Sequence, residues 1–237
     1  PLIIEGPAGT GKTYLAKSLS NMLSKELIRL QCHEGIDEDK AIYEWDYKKQ
    51  LLSIQNDKNE NDLFTDEYLI ERPILKSLKT SDSLFLVDEI DRSDEEFEAL
   101  LLEVLAEKQV TIPELGTVAG EGNNFTILTS NATRDLSEAL RRRCIYFFLD
   151  YPSIDIETKV ILSNVESISE EKAKKYSLFS SFIRKLNLNK PPSLIETVEW
   201  VKYNHENNHG ELDSNIGILI KDIDDQKLYK EKLKENN

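Results

Sequence analysis

The run Gly6-Pro-Ala-Gly-Thr-Gly-Lys12-Thr13 constrains this chain more than any other feature, because of where it lies. Before it stands a short apolar strand, Leu2 to Glu5, and after it a segment whose Leu15, Leu19, Met22, Leu23 and Leu27 recur at helical spacing. A glycine-rich turn at a helix N-terminus offers free backbone N–H groups and the positive end of the helix dipole, which together hold phosphate oxygens. Gly6, Gly9 and Gly11 permit close backbone approach, Lys12 can reach the terminal phosphates, and the Thr13 hydroxyl can ligate Mg2+. Pro7, Ala8, Thr10 and Tyr14 complete the expected nucleotide-binding stretch.

A strand, loop and helix of this kind calls for further buried strands. Leu27 to Gln31 reads as a second one, and Ser83 to Val87 is the compact apolar run typical of a parallel sheet covered on both faces. A helix is expected over Thr65 to Lys79, with Pro73 inside it, and the polar stretch Gln55 to Asp62 before it reads as a surface loop. Ser93 and Glu96 have capping-box spacing ahead of a helix with Phe97, Leu100, Leu101, Val104 and Leu105 on one face. Gln109 to Ile112 and Thr117 to Ala119 flank Pro-Glu-Leu-Gly as a β-hairpin. The strand Phe125 to Thr129, a short helix Ser137 to Arg142 and the strand Ile145 to Leu149 follow.

The expected architecture is therefore an α/β three-layer core with a parallel sheet over residues 1–152, followed by a small helical domain over 153–237. Leu178, Phe179, Phe182, Ile183 and Leu186 supply an apolar helix face in the second part. A chain of 237 residues is long enough for two cores.

Composition narrows the class. The 39% apolar fraction is that of a globular protein, and no apolar run reaches the roughly 18 residues needed to span a bilayer. The chain opens at Pro1, without an initiator Met, straight into the first strand; no signal peptide is legible and the start reads as a cut. Cys32 and Cys144 are too few for a disulfide framework, which fits a reducing cytoplasm. A formal net charge of −14 repels phosphate backbones and argues against nucleic acid as the main partner. The excess acid reads first as a solvated surface and second as a docking face for a basic partner.

Three further groups carry chemistry. Leu84-Phe-Leu-Val-Asp88-Glu89 places two carboxylates at the C-terminal end of a buried strand, the sheet edge where ligands bind. There Asp88 would hold the metal through water and Glu89 would polarise an attacking water, whereas Asp91, Asp94, Glu95 and Glu96 read as a helix N-terminal acid cluster. Asn131 ends another strand, where it could orient that water or the γ-phosphate. Arg141-Arg142-Arg143 exceeds what a helix C-terminus needs for dipole pairing, and one of the three would reach a neighbouring subunit's nucleotide.

The order of these groups, with a helical segment last, resembles the AAA+ superfamily. At closer range the chain resembles the MoxR family. The residues behind this are Cys32-His-Glu-Gly-Ile with Tyr43-Glu-Trp-Asp-Tyr47, Glu71-Arg-Pro-Ile-Leu, Asp88 to Phe97, Gln109-Val-Thr-Ile-Pro-Glu-Leu-Gly116 and Leu140-Arg-Arg-Arg-Cys144. They look like the branch associated with carbon monoxide dehydrogenase maturation. The resemblance implies ATP and Mg2+ as cofactors, an insert in helix 2 around Tyr43 to Gln55, and a hairpin before the sensor residue. It further implies a hexameric ring, a partner with a von Willebrand A domain, and a metalloenzyme client such as a molybdenum hydroxylase. Lys12, Glu89 and Asn131 then become catalytic residues, Thr13 and Asp88 the metal holders, and Arg143 the finger acting in trans, with Arg141 and Arg142 as alternates. One departure stands out: the segment Lys190-Pro-Pro-Ser-Leu-Ile-Glu196 lacks the arginine that often opens the third lid helix in the family, and Lys190 is a weak substitute.

Other readings stay open. A DNA-processing AAA+ motor, of clamp-loader or branch-migration type, would share the arginine region, and a nucleotide-gated binding module would share the phosphate loop. Tyr43, Trp45 and Tyr47 could grip a client, although packing of the insert is the plainer account. His205-Glu-Asn-Asn-His209 fits a zinc-protease pattern, but it ends in glycine, its composition is poor for a helix, and no third histidine follows.

Overall fold

The computed structural model describes residues 1–55, 63–120, 122, 124–207, 212 and 215–235, without the side chains of Glu38 and Glu235. His209 and most of the polar stretch after Gln55 lie outside the described residues. By internal contact the chain divides into two units, residues 1–6 with 12–149, and residues 7–11 with 150–237.

The first unit is built on five parallel strands: β1 Leu2–Glu5, β2 Glu26–Gln31, β5 Ser83–Asp88, β8 Phe125–Ser130 and β9 Ile145–Phe148. They lie side by side in the order β2-β5-β8-β1-β9. Every residue of β5 is buried, as its position second from one edge and its apolar composition require. Strand alternation sends its side chains to two separate cores. Leu84 and Leu86 join Ile4, Ile127 and Ala16 of helix α1 (Lys12–Met22), while Phe85 and Val87 join Ile3 and Leu128 in the larger cluster. That larger cluster takes in α4 (Pro73–Lys79) through Ile74, Leu75 and Leu78, and α5 (Glu95–Glu107) through Phe97, Leu101 and Val104. Each such fully buried side chain is worth about 1.5–3 kcal/mol of transfer free energy. The three-layer α/β core with a parallel sheet and a helical C-terminal part is the architecture expected from the sequence.

Several local expectations need correction. Of the apolar repeat after Lys12, Leu15 and Leu19 pack against the smaller cluster beside the buried Lys12, Ala16 and Ser20 of α1, while Met22 and Leu23 face solvent and Leu27 belongs to β2. The segment Thr65 to Lys79 is not one helix. It contains a 3-10 turn (Asp66–Tyr68), strand β4 (Leu69–Glu71), and α4 beginning at Pro73. Proline sits there at the first helical turn, where its missing N–H costs nothing, and it keeps Arg72 extended. Strand β4 pairs antiparallel with β3 (Tyr43–Trp45), so the aromatic insert comprises α2 (Glu38–Ile42), β3 and α3 (Tyr47–Ile54). Trp45 is buried edge-on to Tyr43 and Phe64, whereas Tyr47 is exposed. Packing therefore accounts for Trp45 and not for Tyr47.

Asp94, rather than Ser93, caps α5 by accepting from the Phe97 N–H at 2.9 Å, and Ser93 donates to the Ile90 carbonyl. The hairpin forms from β6 (Gln109–Ile112) and β7 (Gly116–Ala119).

The second unit carries α7 (Ile154–Asn164), α8 (Glu170–Arg184), α9 (Leu194–Glu206), α10 (Ile216–Leu219) and α11 (Ile223–Glu235) around Ile161, Ile183, Trp200, Val201 and Tyr229. Leu178 and Phe182 lie outside that core, exposed on α8. Within it Arg184 forms a buried two-point ion pair with Glu157 at 2.8 and 2.9 Å, donates to the Pro192 carbonyl, and lies over the Tyr151 ring. Among the described residues no helix is long and apolar enough to cross a membrane.

Candidate functional site

Glycine is required twice in the phosphate loop for steric reasons alone. A Cβ on Gly6 would lie 2.0 Å from the Leu149 carbonyl oxygen, and one on Gly9, at φ +74°, 2.1 Å from Ser193 Cβ. Gly11, at φ +99°, has open space beside it. Thr10 braces the loop by donating to the Pro7 carbonyl at 3.0 Å, and the Lys12 ammonium donates to the Gly6 carbonyl at 2.8 Å. Burial pulls the Lys12 pKa down, with Asp91, Asp88 and Glu89 opposing the shift. Ala8 adds no side chain beyond its methyl, and Tyr14 points into solvent at 75% exposure.

The end of β5 meets the start of α1 directly. The Thr13 hydroxyl donates to Asp88 Oδ1 at 2.9 Å, and Thr129 on β8 donates to the same oxygen at 2.5 Å. Asp88 is 1% exposed, and the oxygens of Thr13 and Asp88 form a hard donor pair suited to Mg2+. With the open space at Gly11, these residues fit a magnesium-bound nucleotide. The next residue, Glu89, adopts a left-handed backbone (φ 57°, ψ 49°), a conformation that costs a non-glycine residue energy and is held by the Thr129 hydroxyl accepting the Glu89 N–H at 3.0 Å. Its carboxylate is kept to one side: Oε2 accepts from Gln31 at 3.1 Å and forms an ion pair with Arg92 at 3.0 Å.

Asn131 directly follows β8, the strand between β5 and β1, and its side-chain amide makes no hydrogen bond among the described residues. Its backbone is anchored by Asp91, which accepts from the N–H groups of Asn131 and Thr133 at 3.1 Å each and from the Thr133 hydroxyl at 2.6 Å. Asp91 is therefore not part of a solvated helix-terminal cluster; it is a buried clamp on the loop carrying Asn131. Burial raises its pKa, but these hydrogen bonds outweigh burial and leave it below the ordinary value. Because the folded-state pKa is depressed, the clamp stabilises the protein above the unfolded pKa, and that part is lost as pH falls through the folded value. Asp91→Asn is expected to cost about 2 kcal/mol near neutral pH, on the scale of hydrogen bonds to a charged group. The loss should shrink toward about pH 3, below the ordinary aspartate pKa, which thermal melts over a series from there to neutral pH would show.

The three arginines diverge. Arg141 pairs with the buried Glu5 at 3.0 Å and sits over the Tyr146 ring, while Arg142 pairs with Glu138 one turn back. Arg143 is exposed, donates only weakly to the Leu102 carbonyl at 3.4 Å, and makes no ion pair among the described residues. Its helix α6 (Glu138–Arg143) is capped by Ser137, whose own N–H donates to the buried Glu98 at 2.9 Å. Glu98 also pairs with Arg134 at 2.5 Å.

Sequence reasoning missed Arg29, Gln31, Arg92 and Thr129. Arg29 donates to Asp88 Oδ2 through Nε at 3.0 Å and Nη2 at 2.6 Å. The available signal was the alternation of β2, which puts Leu27, Arg29 and Gln31 on one face and turns that face polar toward the ligand-binding sheet edge. In the second unit Lys190 pairs with Asp222 at 3.5 Å, the N-cap of α9 is Ser193, and the Leu194 N–H reaches the Gly9 carbonyl at 3.4 Å. Of the zinc pattern His205 lies on α9, which ends at Glu206, while His209 lies outside the described residues.

A glycine-rich phosphate loop joined through a threonine to a buried acidic strand end, with a polar residue closing the strand between them, is the arrangement of a P-loop nucleotide-binding domain. The family described as AAA domain (dynein-related subfamily) matches residues 1–144, more than half of the chain, and the chain belongs to it. It is similar to uncharacterised proteins of Staphylococcus epidermidis, with 26% identity over 176 residues, and Staphylococcus saprophyticus, with 26% over 166 residues. These alignments cover 72% and 68% of this chain, and 62% and 59% of those proteins, so the chain spans about three fifths of the length of the curated relatives it matches. Among solved structures, a candidate ATPase from Cytophaga hutchinsonii superposes with a TM-score of 0.51 at 20% identity, covering 78% of this chain and 58% of that one. A point mutant of Thermotoga maritima RuvB superposes at 0.53 with 18% identity, covering 93% and 60%. At these identities the likeness is one of fold.

Proposed function

We propose that this chain is the motor of a MoxR-type, ring-forming AAA ATPase that remodels or matures a protein client. The carrying observation is the Thr13–Asp88 hydrogen bond at 2.9 Å, which locks the phosphate-loop helix to the acidic end of β5. In the reaction water adds to the γ-phosphorus of ATP as the bond to the bridging oxygen breaks, giving ADP and phosphate. Gly6 to Thr13 bind the phosphates, and Lys12 offsets their charge. Thr13 and Asp88 hold Mg2+, which supplies further charge neutralisation when bound. Glu89, once free of Gln31 and Arg92, polarises the water and takes its proton. Asn131, its amide without a hydrogen bond among the described residues and its loop held by Asp91, orients that water or the γ-phosphate. Arg143, which makes no ion pair among the described residues, reaches the nucleotide of the next subunit.

The sequence resemblance supports a hexamer, a von Willebrand A partner and a metalloenzyme client, with cofactor insertion into a molybdenum hydroxylase as the most specific form. The acidic surface speaks against a DNA-processing motor. Steady-state phosphate release with and without DNA tests the reading, together with co-purification from the native host. Mg2+-dependent release indifferent to DNA, with both partners recovered, is the expected result. Stimulation by DNA would replace the remodelling role with a DNA-processing one, and absent release would leave a nucleotide-gated binding module.

A further inference from the structure

We propose that Arg29 is a built-in counter-charge of the metal site, which neutralises Asp88 while no divalent cation is bound and competes with that cation for the carboxylate. The proposal rests on the assignment of Asp88 to the metal. Arg29 lies on β2, opposite Leu86 of β5, and its guanidinium reaches along the strand to Asp88 at the β5 terminus. Two of its nitrogens converge on Oδ2, at 3.0 and 2.6 Å.

The two oxygens of Asp88 are treated differently. Oδ1 receives the neutral hydroxyls of Thr13 and Thr129, the Thr13 hydroxyl also reaching Oδ2 at the longer 3.2 Å, and a threonine can keep donating its proton while its lone pair faces a metal. Oδ2 receives a full positive charge. An ionised carboxylate this deeply buried is costly without an opposite charge, and Arg29 provides one by direct contact. A divalent cation at the same carboxylate would stand close to the guanidinium and repel it in a poorly solvated place. Arg29 must then give up Oδ2. It can do so, because its side chain is 42% exposed and can swing outward without leaving a buried charge behind. An arginine serves better than a lysine here, since its fork makes the two-point contact that substitutes for an ion's charge.

Affinity for the metal is thus set lower than the oxygens alone would allow, and the empty site is stabilised against the repulsion of its own acids. The test is a Mg2+ titration of a fluorescent ADP bound to the full chain, where no turnover occurs, with Mn2+ binding followed by electron paramagnetic resonance in the presence of ADP. For Arg29→Met the half-saturating Mg2+ and Mn2+ concentrations should fall about tenfold, the scale of one hydrogen bond to a charged group. Its melting temperature should fall in EDTA but match the wild type in saturating Mg2+ and ADP, a difference that a purely structural arginine would not produce. Arg29→Lys keeps the charge, tolerates the fold better and should shift the titration by about threefold in the same direction, having lost the two-point contact. A metal requirement that is unchanged or raised in either variant overturns the proposal. A wild-type protein whose ADP affinity ignores Mg2+ would instead overturn the metal assignment of Asp88, and the proposal with it.

Discussion

Glu89→Gln is expected to abolish most ATP turnover, by roughly 10²- to 10⁴-fold, the usual contribution of a positioned general base, while nucleotide binding persists. The substitution preserves shape and hydrogen-bonding reach, and removes one of the three carboxylate charges that act on Lys12 of the phosphate loop. Its backbone strain is unaffected, because the left-handed geometry is fixed by the Thr129 hydroxyl and not by the carboxylate. The measurement pairs phosphate release with binding of a fluorescent nucleotide. Wild-type turnover in the variant would remove Glu89 as the base; lost binding would show that the substitution had damaged the loop instead. Because Gln31 and Arg92 hold the carboxylate aside, Glu89 is expected to act as the base only after those two contacts break.

What was legible in the sequence follows from how local each contact is. Gly6 to Thr13 form a contiguous unit whose function depends on neighbours a few residues away, and the strand end at Asp88 and Glu89 is marked by the apolar run before it. The parallel sheet was equally plain, because strands covered on both faces read as unbroken apolar segments. Arg29 was hidden for the opposite reason. Its partner lies 59 residues away, and nothing in Glu-Leu-Ile-Arg-Leu-Gln says which strand becomes its neighbour. Asp91 was misread because an acid before a helix usually serves that helix, whereas this one turns inward to the loop after β8. At Pro73 the signal for a break was present in the sequence, since a proline more readily begins a helix than continues one.

The second large effect belongs to Arg143, which the resemblance names as the finger with Arg141 and Arg142 as alternates, and the three differ in their surroundings. Arg141 is committed to Glu5, so removing it strands a buried carboxylate and should loosen the fold. Arg142 is a surface pair worth little. Arg143→Ala should leave stability and nucleotide affinity near wild type yet lower turnover by about 10³- to 10⁵-fold, the range measured for arginine fingers. A finger acting in trans makes a sharper demand on a mixture. Glu89→Gln subunits retain the finger, and Arg143→Ala subunits retain the base, so each is inactive alone. Mixed together, they create interfaces at which one subunit's Glu89 meets its neighbour's Arg143, and a fraction of the activity should return. Recovery on mixing would place half of each active site on the adjoining subunit. Silence of the mixture, with assembly of both proteins confirmed by light scattering, would confine the chemistry to one chain and remove Arg143 from it.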